Sequence, residues 1–527
     1  MTTTRPTGGV ERVSGSTVDK ALSPTRPAWL VPALVTLIAT VVAWWASVPY
    51  VVGVFHDDGV YALLGKAIAS GQGFRYIQLP GAPAATHYPP LYPLVLALLW
   101  RVAPTFPENI PILLGLNVLC LGAAALGLYL LLRRRLGWRE EQAAAVSLVG
   151  ILSTPVLTLA SAVLSEPLFL AGLFPVLLMA ERAVDRRDAR LVVGTGVAVG
   201  LLMLERTHAV ALLGAVVLML LHRRAWRCAG LFMCAAAIVQ LPWNLWTRTA
   251  ELVAPPLRGA YGSYAGWFVE GLRAGGPALL IKTAQINLRE LWLLLGDRIL
   301  PGLPSPLGML AVALFAGLLL VGAARAARRL PVTILFLALY LGIVLIIAGT
   351  PWRYVWAAWP FFVVLAVLGA GEALARVGAP KVRVAVGVVL LVPFAALLHT
   401  EARAFAVREW ERPARRAARQ AIPVVEWVRH NTAPTDIVLA ECEEVVMLFA
   451  GRRSAPPGDF TAMEYLKPRT PEDDRHTLLA MLQAVPAHYV VSLMPRVQVA
   501  ARTLGTERPA LRELPGLPGA AVFRVER

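Results

Sequence analysis

Two adjacent carboxylates, Asp57 and Asp58, follow directly on a long apolar run in a chain of 527 residues. A carboxylate in a partly desolvated pocket has a pKa raised towards neutrality, which suits it to take a proton from a hydroxyl. Two arginines, Arg206 and Arg353, stand at the ends of other apolar runs. A guanidinium binds phosphate oxygens through its planar fork and stays charged near lipid. These residue types suit proton transfer and phosphate binding, provided that the fold gathers them on one side of a membrane.

The elements that must position these side chains are apolar runs, and a run of roughly 20 residues crosses a bilayer. Hydrophobic residues make up 57% of the chain and charged residues 16%, with a mean hydropathy of +0.62, which excludes a soluble protein. We predict about eleven transmembrane helices, near residues 29–52, 111–132, 143–162, 166–181, 190–205, 208–222, 228–246, 305–324, 331–349, 354–376 and 383–399. The run 88–100 is shorter and contains Pro89 and Pro90 near its start, so we interpret it as a re-entrant or interfacial helix.

Basic residues assign a side of the membrane to each predicted loop. If the segment 88–100 does not cross, five basic clusters share the side of the N-terminal tail: RRRLGWR, ERAVDRRDAR, HRRAWR, RAARR and ARVGAPKVR. Lys and Arg concentrate in cytoplasmic loops. The polar tail 1–28, which has no cleavage signature, is therefore predicted to be disordered and cytoplasmic. The opposite, extracytoplasmic face receives the ionisable residues at the span ends, which marks them as functional candidates.

Composition also limits the partners of the chain. The net charge of +17 comes largely from the basic clusters between the apolar runs. Such clusters set membrane orientation and need no further role, so no nucleic-acid partner is predicted. The four cysteines show neither metal-ligand spacing nor a disulfide framework. No cofactor is predicted, and no metal-ligand set is recognised, although a divalent metal is left open.

Two further segments complete the organisation. Residues 247–304 contain KTAQINLRELWLLLGDRIL, an amphipathic stretch predicted to lie at the membrane interface. From residue 412 the chain becomes polar, and helical periodicity alternates with short β-branched runs. We therefore predict a transmembrane domain over 29–411 and a small extracytoplasmic α/β domain over 412–527.

Several motifs occur in the order found in one family of membrane enzymes. They are HDDGVY (56–61), GQGF (71–74), THYPPLYPL (86–94), SEPLF (165–169), LPWNL (241–245) and WRYVWAAWP (352–360), with Arg206 after the 190–205 span. Their order and common side resemble membrane glycosyltransferases of the GT-C fold, in particular the protein O-mannosyltransferase and aminoarabinose transferase branch. The resemblance extends over most of residues 30–400, and within it residues 53–110 form the first external loop. It departs at Asp58, where many relatives have Glu, and at the position before Pro89, where some have Lys.

The resemblance implies an all-α polytopic fold in the cytoplasmic membrane, and an inverting transfer of a sugar from a polyprenyl-phosphate donor to a lipid, glycan or protein acceptor. It implies that Asp57 is the base that takes the proton of the acceptor hydroxyl. Asp58 would hold the acceptor or orient Asp57. The substrate-binding residues implied are Tyr61, His87, Tyr88, Glu166, Arg206, Arg353 and Tyr354, with Arg206 and Arg353 on the donor phosphate and His87 as a further donor to it.

Several of these residues also have a purely structural interpretation. Asp57 and Asp58 could cap the helix that follows them, since Asp is a good N-cap. Arg353 could bind lipid headgroups, and Glu166 could form a structural ion pair with Arg206. His208 is interpreted as a packed polar residue, and the aromatic residues Trp352, Tyr354, Trp356 and Trp359 as an interfacial belt, with sugar stacking as the alternative.

Two other functions are considered. A secondary transporter or lipid flippase would place ionisable residues near mid-span and on both faces, whereas this chain concentrates them on one. A non-catalytic scaffold displaying the C-terminal domain would leave the Asp pair and the arginines unexplained.

Overall fold

A computed structural model of the protein describes residues 27–250, 253–299, 305–349, 351–459, 461–504 and 510–526. Of the predicted disordered tail, residues 1–26 lie outside the described residues, so that prediction is not tested. Parts of the predicted interfacial segment, at 251–252 and 300–304, also lie outside them.

Helices form the first half of the chain. They are α1 (Leu30–Ala46), α2 (Asp57–Ala69), α3 (Leu91–Val102), α4 (Ile110–Leu131), α5 (Glu140–Ile151), α6 (Thr154–Ala160), α7 (Glu166–Arg186), α8 (Ala189–Glu205), α9 (Val210–His222) and α10 (Trp226–Thr249). Prolines stand in the first turn of α4, α6 and α7, where the missing N–H costs nothing. Asp188 caps α8 by accepting a hydrogen bond from the Leu191 amide, 2.8 Å away.

Helices continue through the second half of the membrane region. They are α11 (Arg258–Tyr261), α12 (Tyr264–Ile299), α13 (Ser305–Ala326), α14 (Pro331–Ile346), α15 (Trp352–Arg376) and α16 (Pro380–Ala406). α12 contains the predicted amphipathic stretch and bends at Gly276, whose φ of +59° is left-handed. Its Asn287 is buried and donates to the Val344 and Ile347 carbonyls at the end of α14, which ties the two helices together.

The helices are those of a multi-pass membrane protein. Among the described residues, six helices are long and apolar enough to cross a membrane. The α5–α6 pair, bent by 56°, makes a seventh candidate if it is counted as one span. Four shorter apolar helices include α1 and α3. All eleven predicted spans are helical, with α5 and α6 sharing one of them. The 88–100 run forms α3, whose 12 residues extend only about 18 Å, too short to cross a hydrocarbon core of about 30 Å.

The apolar core of the helical region corrects one prediction. Trp356 and Trp359 were predicted to lie in an interfacial belt, but their side chains are only 9% and 1% exposed and pack inside the helical core. Trp359 meets Phe315 and Phe362 there. A Trp near a span end has the same sequence signal in either place, because only tertiary packing decides between lipid and core.

The C-terminal region is a small α/β unit, as predicted. It consists of α17 (Arg412–Asn431), β1 (Ile437–Ala440), α18 (Glu443–Val445), β2 (Arg453–Ala455), α19 (Pro471–Ala484), β3 (Tyr489–Ser492), α20 (Pro495–Leu504), β4 (Ala510–Leu517) and β5 (Ala520–Glu526). The strand order is β2-β1-β3-β5-β4, with parallel pairing from β2 to β3 and antiparallel pairing from β3 to β4.

This unit shares an apolar core with the segment 53–110. The core combines Val60 and Leu64 of α2 and Leu96 of α3 with Leu439 of β1 and Phe523 of β5, all of them 1% exposed or less. α2 and α3 are therefore held between the membrane helices and the C-terminal sheet.

Candidate active site

The adjacent carboxylates are positioned by a tight turn at the start of α2. His56 has φ +63° and ψ −70°, and the Asp57 amide donates to the Phe55 carbonyl at 2.8 Å. This is a γ-turn of the rare positive-φ type, a backbone conformation that costs on the order of 1–3 kcal/mol. The turn separates two consecutive side chains: Asp57 contacts Arg353 of α15, whereas His56 contacts the glutamates of α18.

Asp57 is held by two donors from outside its own helix. Arg353 forms an ion pair with Oδ2, and the Tyr88 hydroxyl donates to Oδ1 at 2.6 Å. Burial alone would raise the pKa of Asp57, but the positive charges of Arg353 and His56, together with the Tyr88 hydrogen bond, lower it to about 2. Asp57 is therefore ionised here, and its contacts are not those of a helix cap.

The carboxylate of Asp58, by contrast, accepts hydrogen bonds from the chain segment that precedes it. The donors are the Tyr50 hydroxyl at 2.7 Å, the Gly53 amide at 2.8 Å and the Phe55 amide at 2.9 Å. The side chain is fully buried, and this burial raises its pKa to about 6 against the effect of those donors. Of the two predicted roles, the geometry favours orientation of the turn that presents Asp57 over contact with an acceptor.

A buried ion-pair network, the arginine cluster of Asp57, Glu166, Arg206 and Arg353, joins four predicted residues. Arg353 links Asp57 to Glu166, with its Nη2 3.1 Å from Glu166 Oε2. Arg206 Nη1 lies 2.9 Å from Glu166 Oε1. Glu166 is fully buried, whereas Arg206 and Arg353 are 7% and 15% exposed. The predicted Glu166–Arg206 ion pair is thus present, and the fold brings it to the carboxylate of Asp57.

Hydroxyl and aromatic groups fix this network from the sides. Ser165 accepts a hydrogen bond from Arg206 at 2.8 Å and lies 3.2 Å from the Tyr61 hydroxyl. The Tyr61 ring packs edge-on against the Tyr88 ring, with centroids 5.1 Å apart. The Tyr354 ring stands 5.7 Å from the Arg206 guanidinium, within the range of a cation–π contact.

His87 lies beside Tyr88 in a neutral form. Its Nδ1 contacts the Gly262 carbonyl, which can only accept, so that nitrogen carries the proton. Burial lowers the pKa of His87 to about 4. The ring packs against the Tyr264 ring with centroids 3.8 Å apart. Nε2 of this tautomer is an acceptor, which suits a hydroxyl better than a phosphate oxygen.

The network opens into a cavity of about 310 Å³. Four of the nine predicted site residues line it, namely Asp57, Tyr61, Arg206 and Tyr354. The other five predicted residues do not line it, namely Asp58, His87, Tyr88, Glu166 and Arg353. Four of these contact a lining residue, and Asp58 contacts the turn before Asp57. Part of the wall is apolar and consists of Val210, Phe268, Ile343, Ile346 and Ile347. One cavity therefore combines ionised groups with an apolar surface.

Sequence reasoning missed several residues of this site. Glu205 lines the cavity with a side chain 1% exposed, and neither carboxylate oxygen has a hydrogen-bond partner among the described residues. Its place next to Arg206 at the end of a predicted span was the available signal. Tyr50 and Tyr264 also belong to the site, but nothing in their local sequence distinguishes them from other tyrosines at a membrane surface.

Comparison with known proteins bears on the fold. No family model matches the chain, and no curated protein sequence matches it. The structure of ArnT from Cupriavidus metallidurans bound to undecaprenyl phosphate is similar, with a TM-score of 0.55 and 15% identity over 94% of this chain and 98% of that one. ArnT of the same organism in the apo state gives a TM-score of 0.51 and 14% identity over 94% and 97%. This chain thus has the GT-C fold, as the motifs predicted.

Proposed function

We propose that this protein is a membrane glycosyltransferase that transfers a sugar from a polyprenyl-phosphate donor to an acceptor hydroxyl on the extracytoplasmic face. The observation that carries this proposal is the cavity, in which Asp57 and Arg206 face the same space as Ile343, Ile346 and Ile347. A lipid-linked sugar phosphate needs both kinds of surface, because its headgroup is anionic and its tail is apolar.

In the proposed reaction, the acceptor oxygen attacks the anomeric carbon of the donor sugar. Asp57 accepts the hydroxyl proton, and the bond between the anomeric carbon and the phosphate oxygen breaks with its electron pair on the phosphate. The products are the glycosylated acceptor and polyprenyl phosphate. A single displacement inverts the configuration at the anomeric carbon.

The two arginines are proposed to bind the phosphate and to release the base. Arg353 is shared between Asp57 and Glu166. A donor phosphate beside Arg206 would draw Arg353 towards itself, since phosphate binds a guanidinium bidentately. Asp57 then loses its strongest cationic partner at the moment when it must accept a proton. Glu166 keeps both arginines in place throughout.

The remaining predicted residues are proposed to surround the sugar and acceptor. Tyr61 and Tyr354 line the cavity, and the Tyr88 hydroxyl fixes Asp57. His87 is placed to accept a hydrogen bond from a sugar or acceptor hydroxyl through Nε2. Asp58 is proposed to act as a positioning residue through the turn.

Membrane placement follows from the basic clusters. The N-terminus is proposed to be cytoplasmic, with the first external loop and the 412–527 domain outside the cytoplasmic membrane. Contact between that loop and the C-terminal sheet supports a common side for them. The lipid bound to ArnT, undecaprenyl phosphate, is of the chemical class proposed for this donor, and it supports a lipid-phosphate partner here.

The test uses the full chain in lipid, incubated with radiolabelled polyprenyl-phosphate hexoses and pentoses, and compares wild type with Asp57→Asn. Donor consumption by wild type and not by the variant is the expected result. Absence of both consumption and donor binding in wild type would reject the proposal. Flux of the donor across proteoliposomes without chemical change would favour a flippase instead.

A further inference from the structure

A second cluster of ionisable groups lies on the other side of the γ-turn, where α2 meets the C-terminal domain. This glutamate cluster consists of His56, Tyr261, Glu443 and Glu444. His56 Nδ1 is 2.9 Å from Glu444 Oε1 and 3.6 Å from Glu443 Oε1. The glutamates are 2% and 0% exposed, whereas the His56 side chain is 37% exposed. Two carboxylates are therefore buried beside one imidazole.

The hydrogen bonds of the cluster do not satisfy both carboxylates. The Tyr261 hydroxyl is 2.8 Å from Glu443 Oε1 and 2.7 Å from Glu444 Oε1, but it has only one proton to donate. Glu444 Oε2 is buried and has no hydrogen-bond partner among the described residues. A buried acceptor without a donor is costly, and a second positive charge would relieve the repulsion between the carboxylates.

The spacing of the ligand atoms is compatible with a small cation. One atom from each of His56, Glu443 and Glu444 lies within 4.8 Å of the others. In a tetrahedral zinc site, bonds of about 2.0–2.2 Å place the ligand atoms roughly 3.3–3.6 Å apart. Imidazole with two carboxylates suits Zn²⁺ better than Ca²⁺ or Mg²⁺, which prefer six or more oxygen ligands.

We propose that His56, Glu443 and Glu444 bind one Zn²⁺ or a similar divalent transition-metal ion. Tyr261 stays protonated and donates to one of the coordinating carboxylates. The ion links two segments far apart in the chain, namely the turn before Asp57 and the first residues of α18.

The packing around the cluster makes this link close. A Cβ on Gly59 would overlap with the Cβ of Glu444, so the glycine of the HDDG motif is required for α18 to approach α2. The ion would fix the strained backbone of His56 and, through it, the place of Asp57. This is a positioning role that involves no contact with the reacting atoms.

The test measures metal content, which does not depend on transferase activity, so its failure and that of the proposed function can be told apart. The full chain in detergent is stripped with EDTA, reloaded with ZnCl₂, MgCl₂ or CaCl₂, separated from free ions by gel filtration and analysed for metals. We expect about one Zn²⁺ per chain, little retained Mg²⁺ or Ca²⁺, and a higher Tm after zinc reloading.

Two variants and a matched control complete the experiment. Glu443→Gln and His56→Ala should each reduce retained Zn²⁺ at least about tenfold, the loss expected when a metal site is perturbed. His476→Ala, on the exposed surface of α19 beside Glu472, should retain zinc like wild type. Should a variant fail to fold, the wild-type loading decides.

Wild-type protein that retains no zinc after reloading, with a Tm unchanged by EDTA, would overturn the proposal. The cluster would then be an ion pair between His56 and the glutamates. Zinc retained equally by Glu443→Gln and His476→Ala would place the ion elsewhere and would overturn it as well.

Discussion

The arginine cluster and the glutamate cluster lie on opposite sides of one γ-turn and differ in charge balance, since the first is neutral and the second has an excess of carboxylates. In the first, two guanidinium groups meet the two carboxylates of Asp57 and Glu166 beside an open cavity. In the second, two buried carboxylates share one imidazole and one hydroxyl proton. The first cluster presents the Arg206 guanidinium to an anion that enters the cavity, and the second has a carboxylate oxygen available to an entering cation.

The difference shows how one short motif supplies side chains to two separate clusters. His56 and Asp57 are consecutive, yet the positive φ at His56 sends their side chains to different partners. Substitutions in the two clusters should therefore have separable effects. Those in the arginine cluster should change activity, and those in the glutamate cluster should change the attachment of the C-terminal domain to α2.

The largest expected effect is that of Asp57→Asn. Loss of a general base costs about 10²–10⁴-fold in rate, so transfer should fall by that factor while donor binding persists. The measurement is release of polyprenyl phosphate under single-turnover conditions. Asp185→Asn, at an exposed ion pair with Arg135, is the control and should leave the rate unchanged. Full activity of Asp57→Asn would contradict the proposal that Asp57 is the base.

Arg206→Lys should weaken donor binding. Lysine keeps the charge but cannot reproduce the fork that contacts Glu166 and Ser165, and hydrogen bonds to charged groups contribute about 1.5–3 kcal/mol. We expect a loss of about 10- to 100-fold in donor affinity, measured by equilibrium binding of labelled lipid. Arg376→Lys, 69% exposed, is the matched control. Equal affinities in the two variants would contradict phosphate binding by Arg206.

Gly59→Ala should act on the glutamate cluster. The new methyl group would overlap with Glu444, and overpacking of this kind costs about 1–3 kcal/mol. We expect a lower Tm and reduced zinc retention. In Gly115→Ala, where nothing lies within 4 Å of the added Cβ, neither should fall. Normal zinc retention in Gly59→Ala would separate the cluster from the packing of α18.

The smallest effect is expected from Ile346→Val in the cavity wall. Loss of one methylene contact costs about 0.8 kcal/mol, which is about a fourfold loss of affinity. The loss should appear for long-chain donors and vanish for donors with short isoprenoid tails. Ile238→Val, at a side chain 70% exposed, serves as control. A loss that is independent of tail length would place the tail elsewhere.

Much of the fold was predictable because its signals are local. Apolar runs specify the helices wherever they pack, and the short 88–100 run is indeed the short helix α3. The convergence of Glu166, Arg206 and Arg353 also followed from the sequence. Ionisable residues at span ends are costly unless they pair with one another or face water, so pairing among them is expected.

Other features could not be predicted, because they depend on contacts between distant segments. The γ-turn at His56 is held by hydrogen bonds to Asp58 on one side and by the glutamates of α18 on the other. Nothing near His56 in the sequence indicates Glu443 or Glu444. Two consecutive glutamates, taken alone, predict side chains exposed to solvent. The burial of Trp356 and Trp359 was missed for the same reason.

The apolar core shared by α2, α3 and the C-terminal sheet sets an order of events during biosynthesis. The segment 53–110 leaves the ribosome long before β5, which supplies Phe523 to the shared core. At about 5–20 residues per second, roughly 20–80 s pass between them. During that interval α2 lacks the surface that completes its packing. We therefore expect nascent chains that stall before β5 to expose the apolar face of α2 that the C-terminal sheet covers in the folded protein.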